Sequence, residues 1–182
     1  MYKRQTGTPD PHAWHSPAAA GIYARAIAGA LTELRPDSAD AFDANLDEFL
    51  AELDKLDAWA RGALAAIPPE RRVIVTSHDA FAWLGRDYGI QILSPVGLDS
   101  AAQPSAKRLG ELVAEIRTTG VRAVFLEAGG DPRLASTLAE EAGVAVGAAL
   151  FAGTLTPECD AAASYLSMWR YNFIEMLRAM SR

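Results

Sequence analysis

Few residues of this chain can do chemistry, and two of its three histidines stand in short segments with the character of site-forming loops. One segment is Asp10-Pro11-His12-Ala13-Trp14. The other is Thr76-Ser77-His78-Asp79-Ala80-Phe81, directly after a β-type run. Both lie where the backbone is expected to turn, so a ring nitrogen there can face a cleft instead of a core. Zinc and manganese sites use neutral imidazole and carboxylate at about 2.0–2.2 Å, with four ligands usual for zinc. His12 and His78 are therefore the candidate metal ligands, provided that the fold carries both loops to one cleft. Each has a plainer reading. A histidine at a strand end is more often a hydrogen-bonded structural residue, and His12 reads equally well as an exposed loop residue. His15, three residues on, is predicted to face solvent and is left outside the site.

Other chemistries fit the same residues less well. Ser77-His78-Asp79 has the letters of a hydrolase triad, but neighbouring side chains on extended backbone point in opposite directions, whereas a triad needs convergence. Ala128-Gly129-Gly130-Asp131, between a strand and a helix, could cradle phosphate at the helix start. Asp131, however, is expected to cap that helix itself. No glycine-rich nucleotide motif and no H-E-x-x-H pair occurs.

Composition narrows the classes further. With 182 residues, half of them hydrophobic, the chain can bury a substantial core. A net charge of −6 with scattered Lys and Arg argues against nucleic acid as a partner. No apolar run approaches the roughly 18 residues of a membrane span. The lone Cys159 excludes an internal disulfide and a cysteine-based zinc knuckle. Met1–Gln5 is basic, but no apolar stretch follows, so it does not read as a secretory leader.

The elements that must position the histidines follow from periodicity. Ser16 and Pro17 open a helix over 17–35, stopped by Pro36. From Ser38 a stripe at Phe42, Leu46, Phe49, Leu50, Leu53, Leu56, Ala60, Leu64 and Ile67 predicts a helix of roughly 40 Å, ended by Pro68-Pro69. Its acids, Asp57 included, are read as a solvated face. Beyond Arg72 short β runs alternate with helices. Strands are predicted at 73–76, 90–93, 121–126 and 144–150, and helices at 79–87, 104–118, 132–142 and 161–180. That alternation predicts an α/β fold: an open, parallel four-stranded sheet with flanking helices, preceded by the long helix. Ligands of such sheets bind beyond the carboxyl ends of the strands, where His78 falls.

Taken in order, Asp10-Pro11-His12-Ala13-Trp14, the Leu-rich helix ending in Ile67-Pro68, Val75–Phe81, Phe125-Leu126-Glu127 and Tyr165–Asn172 resemble the zinc/manganese solute-binding proteins of bacterial ABC importers. The resemblance runs over residues 9–178. It implies two α/β lobes joined by one long rigid helix, with the metal between them. Residues 1–39 would be the remnant of an amino-terminal lobe, 40–69 the spine helix and 70–182 the carboxyl-terminal lobe. It further implies His12 and His78 as ligands, a divalent metal ion as cargo, a membrane permease as partner, a monomeric extracytoplasmic protein and no catalysed reaction. Histidine at 78, where some relatives carry glutamate, favours zinc over manganese.

Two departures from the family pattern carry consequences. A further histidine belongs to a lobe that precedes the Asp-Pro-His segment, so the chain reads as the larger part of an exported parent, with leader and lobe upstream. The final loop places Gly153 where the family pattern has an aspartate ligand, leaving water, Glu158 or Asp160 as candidates to complete the shell. With two imidazoles alone, the chain is expected to hold zinc more weakly than micromolar. The contrasting reading is a cytosolic α/β domain binding a small phosphorylated ligand at Gly129-Gly130. An interaction module is a third.

Overall fold

The computed structural model describes residues 9–98, 104–158 and 160–181; Met1–Gln5 and Cys159, read above from sequence, lie outside them. Helix α1 spans Pro17–Leu34, with Pro17 at its first position and the Ser16 hydroxyl accepting the Ala19 N–H at 3.2 Å. A 3-10 turn at Pro36–Ser38 leads into α2, Ala39–Leu64, whose 26 residues span roughly 39 Å at 1.5 Å per residue. Leu53, Leu56, Ala60 and Leu64 of α2 are buried, whereas Phe42, Leu46, Phe49 and Leu50 are only half-buried. The apolar stripe is thus continuous, but only its carboxyl-terminal half enters the core.

After α2 come β1 (Val73–Thr76), α3 (Ala82–Tyr88), β2 (Gln91–Leu93), α4 (Ala106–Thr119), β3 (Ala123–Glu127), α5 (Pro132–Ala142), β4 (Ala145–Leu150) and α6 (Tyr165–Ser181). The strands form one parallel sheet in the order β2-β1-β3-β4. The predicted fold class holds. Alternate strand residues supply two cores, as parallel strands covered on both faces must. Ile74, Ala123 and Phe125 pack with Leu64, Phe81, Leu84, Trp169, Phe173 and Met176, while Val73, Val75 and Val124 pack with Leu112, Ile116, Leu138 and Ala139.

Three helices start later than the periodicity indicates, α4 by the two residues of its Pro104-Ser105 lead-in and α3 and α6 by more. The Asp79 N–H donates to the Gly97 carbonyl at 3.0 Å and the Ala80 N–H to that of His78 at 3.0 Å, so the chain stays in a loop until α3 opens at Ala82. Residues 160–164 likewise turn before α6, whose start is closed by reciprocal hydrogen bonds between Ser164 and Ser167. Gly85 lets α3 lie on β2, because a Cβ there would stand 2.6 Å from the Ile90 carbonyl oxygen.

β1 and β3 are sheet neighbours, yet the chain leaves β1 for β2 on one side and β3 for β4 on the other. Their carboxyl ends thus flank the topological switch point, where open α/β sheets form ligand crevices. His78 follows β1 by two residues, and Glu127 is the last residue of β3.

Candidate metal centre

His78 is set by the end of β1. Thr76 donates its hydroxyl to the His78 carbonyl at 2.7 Å, which turns the chain out of the strand. Its ring Nδ1 donates to Glu127 Oε1, and its backbone N–H reaches the same oxygen at 3.3 Å. Ser77 Oγ donates to that oxygen as well. Burial alone would raise the Glu127 carboxyl, but the hydrogen bonds from His78 and Ser77 outweigh it and hold the group below the ordinary carboxylate value.

The side chains of Ser77 and His78 are not opposed as extended backbone would place them. Ser77 and His78 do converge, because the chain has left extended backbone at this point. They converge on one carboxylate oxygen, however, so Ser77 is not presented to the imidazole and no nucleophile–base relay forms.

His12 is set by its own neighbours. Asp10 Oδ1 accepts the His12 N–H at 3.0 Å and Nδ1 of the His12 ring at 2.9 Å. A 3-10 turn at Ala13–His15 follows, and it is fastened to distant parts of the chain. Trp14 Nε1 donates to the Ala152 carbonyl at 2.8 Å, Tyr165 Oη to the Trp14 carbonyl at 2.8 Å and Trp169 Nε1 to the His15 carbonyl at 2.9 Å.

The two loops meet. Nε2 of His12 and Nε2 of His78 face each other at 3.4 Å, with ring centroids 5.2 Å apart, and both residues are buried. Each Nδ1 is committed to a carboxylate, which leaves the Nε2 lone pairs turned toward one point. Two metal–nitrogen bonds of about 2.0–2.1 Å at a tetrahedral angle hold their nitrogens about 3.3–3.4 Å apart. The pair is therefore spaced to share a cation, backed on both sides by carboxylates.

Sequence reasoning missed the backing groups. Asp10 stands out in the sequence only as part of a segment expected to turn. Glu127 was quoted but given no role, since its partner lies 49 residues away and only the β1–β3 neighbourhood joins them. His15 was predicted to face solvent and is instead fully buried. The 3-10 turn swings its ring inward, onto Phe81 at 4.3 Å between centroids, and its Nε2 donates to the Ala152 carbonyl at 3.1 Å. Burial pushes its pKa down to about 3, so it is neutral.

Glu158 and Asp160 are exposed on the loop after β4 and do not group with the pair. Among the described residues no set of three or more His, Cys, Asp or Glu side chains is placed to hold an ion. Gly153 borders an open, mainly apolar hollow of about 360 Å3 with Trp14, Leu155, Tyr165 and Met168. The phosphate reading of Gly129-Gly130 is not supported. Asp131 caps α5 through the Arg133 N–H at 3.0 Å and binds the Arg133 guanidinium, which leaves that helix start filled by a carboxylate.

A parallel four-stranded sheet with flanking helices, with two imidazoles converging beside its carboxyl edge, is the architecture to be compared with known proteins. Residues 2–179 match the family described as ZnuA, zinc-uptake complex component A, periplasmic, and the chain belongs to that family of solute-binding proteins, which are not enzymes. It is 31% identical over 177 residues to the manganese-binding lipoprotein MntA of Bacillus subtilis, covering 94% of this chain and 58% of MntA. It is 28% identical over 180 residues to the manganese ABC transporter substrate-binding lipoprotein PsaA of Streptococcus anginosus, covering 99% of this chain and 58% of PsaA. The fold superposes on the periplasmic zinc-binding protein TroA of Treponema pallidum with a TM-score of 0.94 at 28% identity, covering 99% of this chain and 67% of TroA. The chain thus spans little more than half the length of these curated relatives.

Proposed function

We propose that this chain is the metal-cradling part of an extracytoplasmic receptor that captures a divalent transition metal and delivers it to an ABC permease. His12 and His78 are the ligands it contributes. The observation that carries this reading is the 3.4 Å separation of the two Nε2 atoms, each ring held by a carboxylate at Nδ1. Without a cation, two lone pairs face each other in a buried place. With one, the same spacing is an edge of a coordination tetrahedron. Zinc is favoured over manganese because both donors are imidazole nitrogens and Gly153 offers no oxygen.

An amino-terminal lobe closing over the pair is part of the proposal, with residues 1–39 belonging to that lobe, 40–69 forming the spine and 70–182 the carboxyl-terminal lobe. Two facts support it. The chain matches 67% of TroA, and one side of α1 exposes Tyr23, Ile27, Leu31 and Leu34 at helical spacing, an apolar stripe of the kind the rest of its own lobe covers. The parent is read as a monomer outside the cytoplasm, in keeping with the periplasmic and lipoprotein descriptions of its relatives. No described helix is long and apolar enough to cross a membrane.

Zinc titration of the chain, followed by NMR of the imidazole resonances, tests the reading. Shifts confined to His12 and His78, with a Kd weaker than micromolar and at least tenfold weaker in His12→Ala and His78→Ala, are expected. Unchanged affinity in either variant removes that histidine from the site.

A further inference from the structure

His15 takes no part in the reading above, yet it is fully buried and wedged between both ligand-bearing loops. Its ring lies on Phe81, three residues after His78, with 4.3 Å between centroids, and its backbone N–H donates to the His12 carbonyl at 3.2 Å. Nε2 donates to the Ala152 carbonyl at 3.1 Å, tying the Asp-Pro-His segment to the loop after β4. Nδ1 is buried without a hydrogen-bond partner among the described residues.

An orphaned buried nitrogen destabilises, because its hydration is lost and nothing replaces it. Packing alone does not require this residue. A phenyl ring would fill the same space and remove the orphan, and the Ala152 carbonyl would keep its 2.8 Å hydrogen bond from Trp14. What a phenyl ring cannot do is replace the Nε2–H bond to Ala152, the second of the two side-chain bonds that tie the turn carrying His12 to the loop after β4.

We propose that His15 is a positioning residue: through its Nε2–H bond to Ala152 and its tilted ring contact with Phe81 it sets the approach of His12 to His78. This rests on the assignment of those two histidines as metal ligands. His15 touches no cargo itself. It fixes the turn, and the turn fixes the ligand.

Two variants separate positioning from packing. His15→Phe keeps the bulk and loses the donor. His15→Gln keeps a nitrogen donor able to reach Ala152 and loses the ring. The measurements are zinc affinity of the full chain, by the same imidazole titration, and Tm by calorimetry. The expected result is that His15→Phe holds or raises Tm while zinc affinity falls about tenfold, at the lower end of what outer-shell changes cost. His15→Gln is expected to lower Tm and to keep affinity within about threefold of the parent chain, since a retained outer-shell hydrogen bond spares the ligand geometry.

A purely structural residue gives the opposite ordering, with affinity following Tm. That result, or equal affinity in all three proteins, overturns the proposal while leaving the ligand assignment standing. If the unaltered chain shows no zinc response at His12 and His78, the ligand assignment itself fails, and the positioning role with it.

Discussion

Tyr88, at the end of α3, donates its hydroxyl to Asp57 of α2 at 2.7 Å, and the same carboxylate accepts Nε of Arg61 at 2.8 Å. One acid of the long helix thus grips the helix that follows the His78 loop, and it does not merely face solvent as its sequence suggests. Tyr88 is almost fully buried, so its hydroxyl depends on this partner.

Removing the acid should therefore cost more than removing the hydroxyl. Tyr88→Phe leaves Asp57 paired with Arg61 and is expected to cost about 1 kcal/mol, whereas Asp57→Ala strands a buried hydroxyl and is expected to cost about 2 kcal/mol. Urea unfolding monitored by circular dichroism reads both. Equal costs would contradict the geometry.

Glu127 sets the ring of His78, so its replacement should be felt at the metal. Glu127→Ala is expected to weaken zinc binding 10–100-fold, and Glu127→Gln, which can still accept from Nδ1 without the charge, by less. Imidazole NMR titrations compare the three proteins. No loss in the alanine variant would show that the carboxylate does not orient the ligand.

The depressed pKa of His15 makes stability pH-dependent with a definite sign. Burial is the main cause, the Ala152 hydrogen bond opposes it, and the charge interactions with His12, Glu127 and Asp10 are smaller. The folded state keeps this ring neutral down to about 3, whereas the unfolded chain protonates it below 6.5. Its contribution is intact above 6.5 and is lost as the pH falls toward 3, by up to about 1.4 kcal/mol per unit, or about 2 kcal/mol at pH 5. The difference in unfolding free energy between the parent chain and His15→Phe, measured from pH 7.5 to 5, should change by about 2 kcal/mol. Parallel curves would contradict it.

How much of this was legible in the sequence depends on the range of the interaction. β1 lies at the predicted residues, and the Ser16 and Asp131 caps act within three residues of themselves. The late start of α3 came from a tertiary bond, Asp79 to Gly97, which no local pattern carries, whereas that of α6 is set by the local Ser164–Ser167 pair. His12 and His78 could be named as a pair. Their meeting required the loop after β4 and α6 to hold the His12 turn beside the end of β1, and such long-range packing is not written in periodicity. His15 was misread because its burial is supplied by Phe81, Ala152 and Trp169, all far along the chain.

Gly153 offers a gain-of-function test. A Cβ added there meets nothing within 4 Å, so a side chain has room beside the open hollow. Gly153→Asp, which installs the residue of the family pattern named above, is expected to fold as the parent chain. It should tighten zinc binding at least tenfold and to raise manganese affinity relative to zinc, since carboxylate oxygen suits manganese. Competition titrations with the two ions decide it. Unchanged affinities would show that this loop does not reach the ion.

The sharing of one ion by His12 and His78 is tested most directly by anomalous scattering from crystals of the chain grown with zinc at neutral pH. The expected result is a single peak about 2.0–2.2 Å from Nε2 of both residues, with Asp10 and Glu127 still on the two Nδ1 atoms. A zinc peak on one ring only, or on other residues while the two Nε2 atoms face each other without an ion, would contradict it.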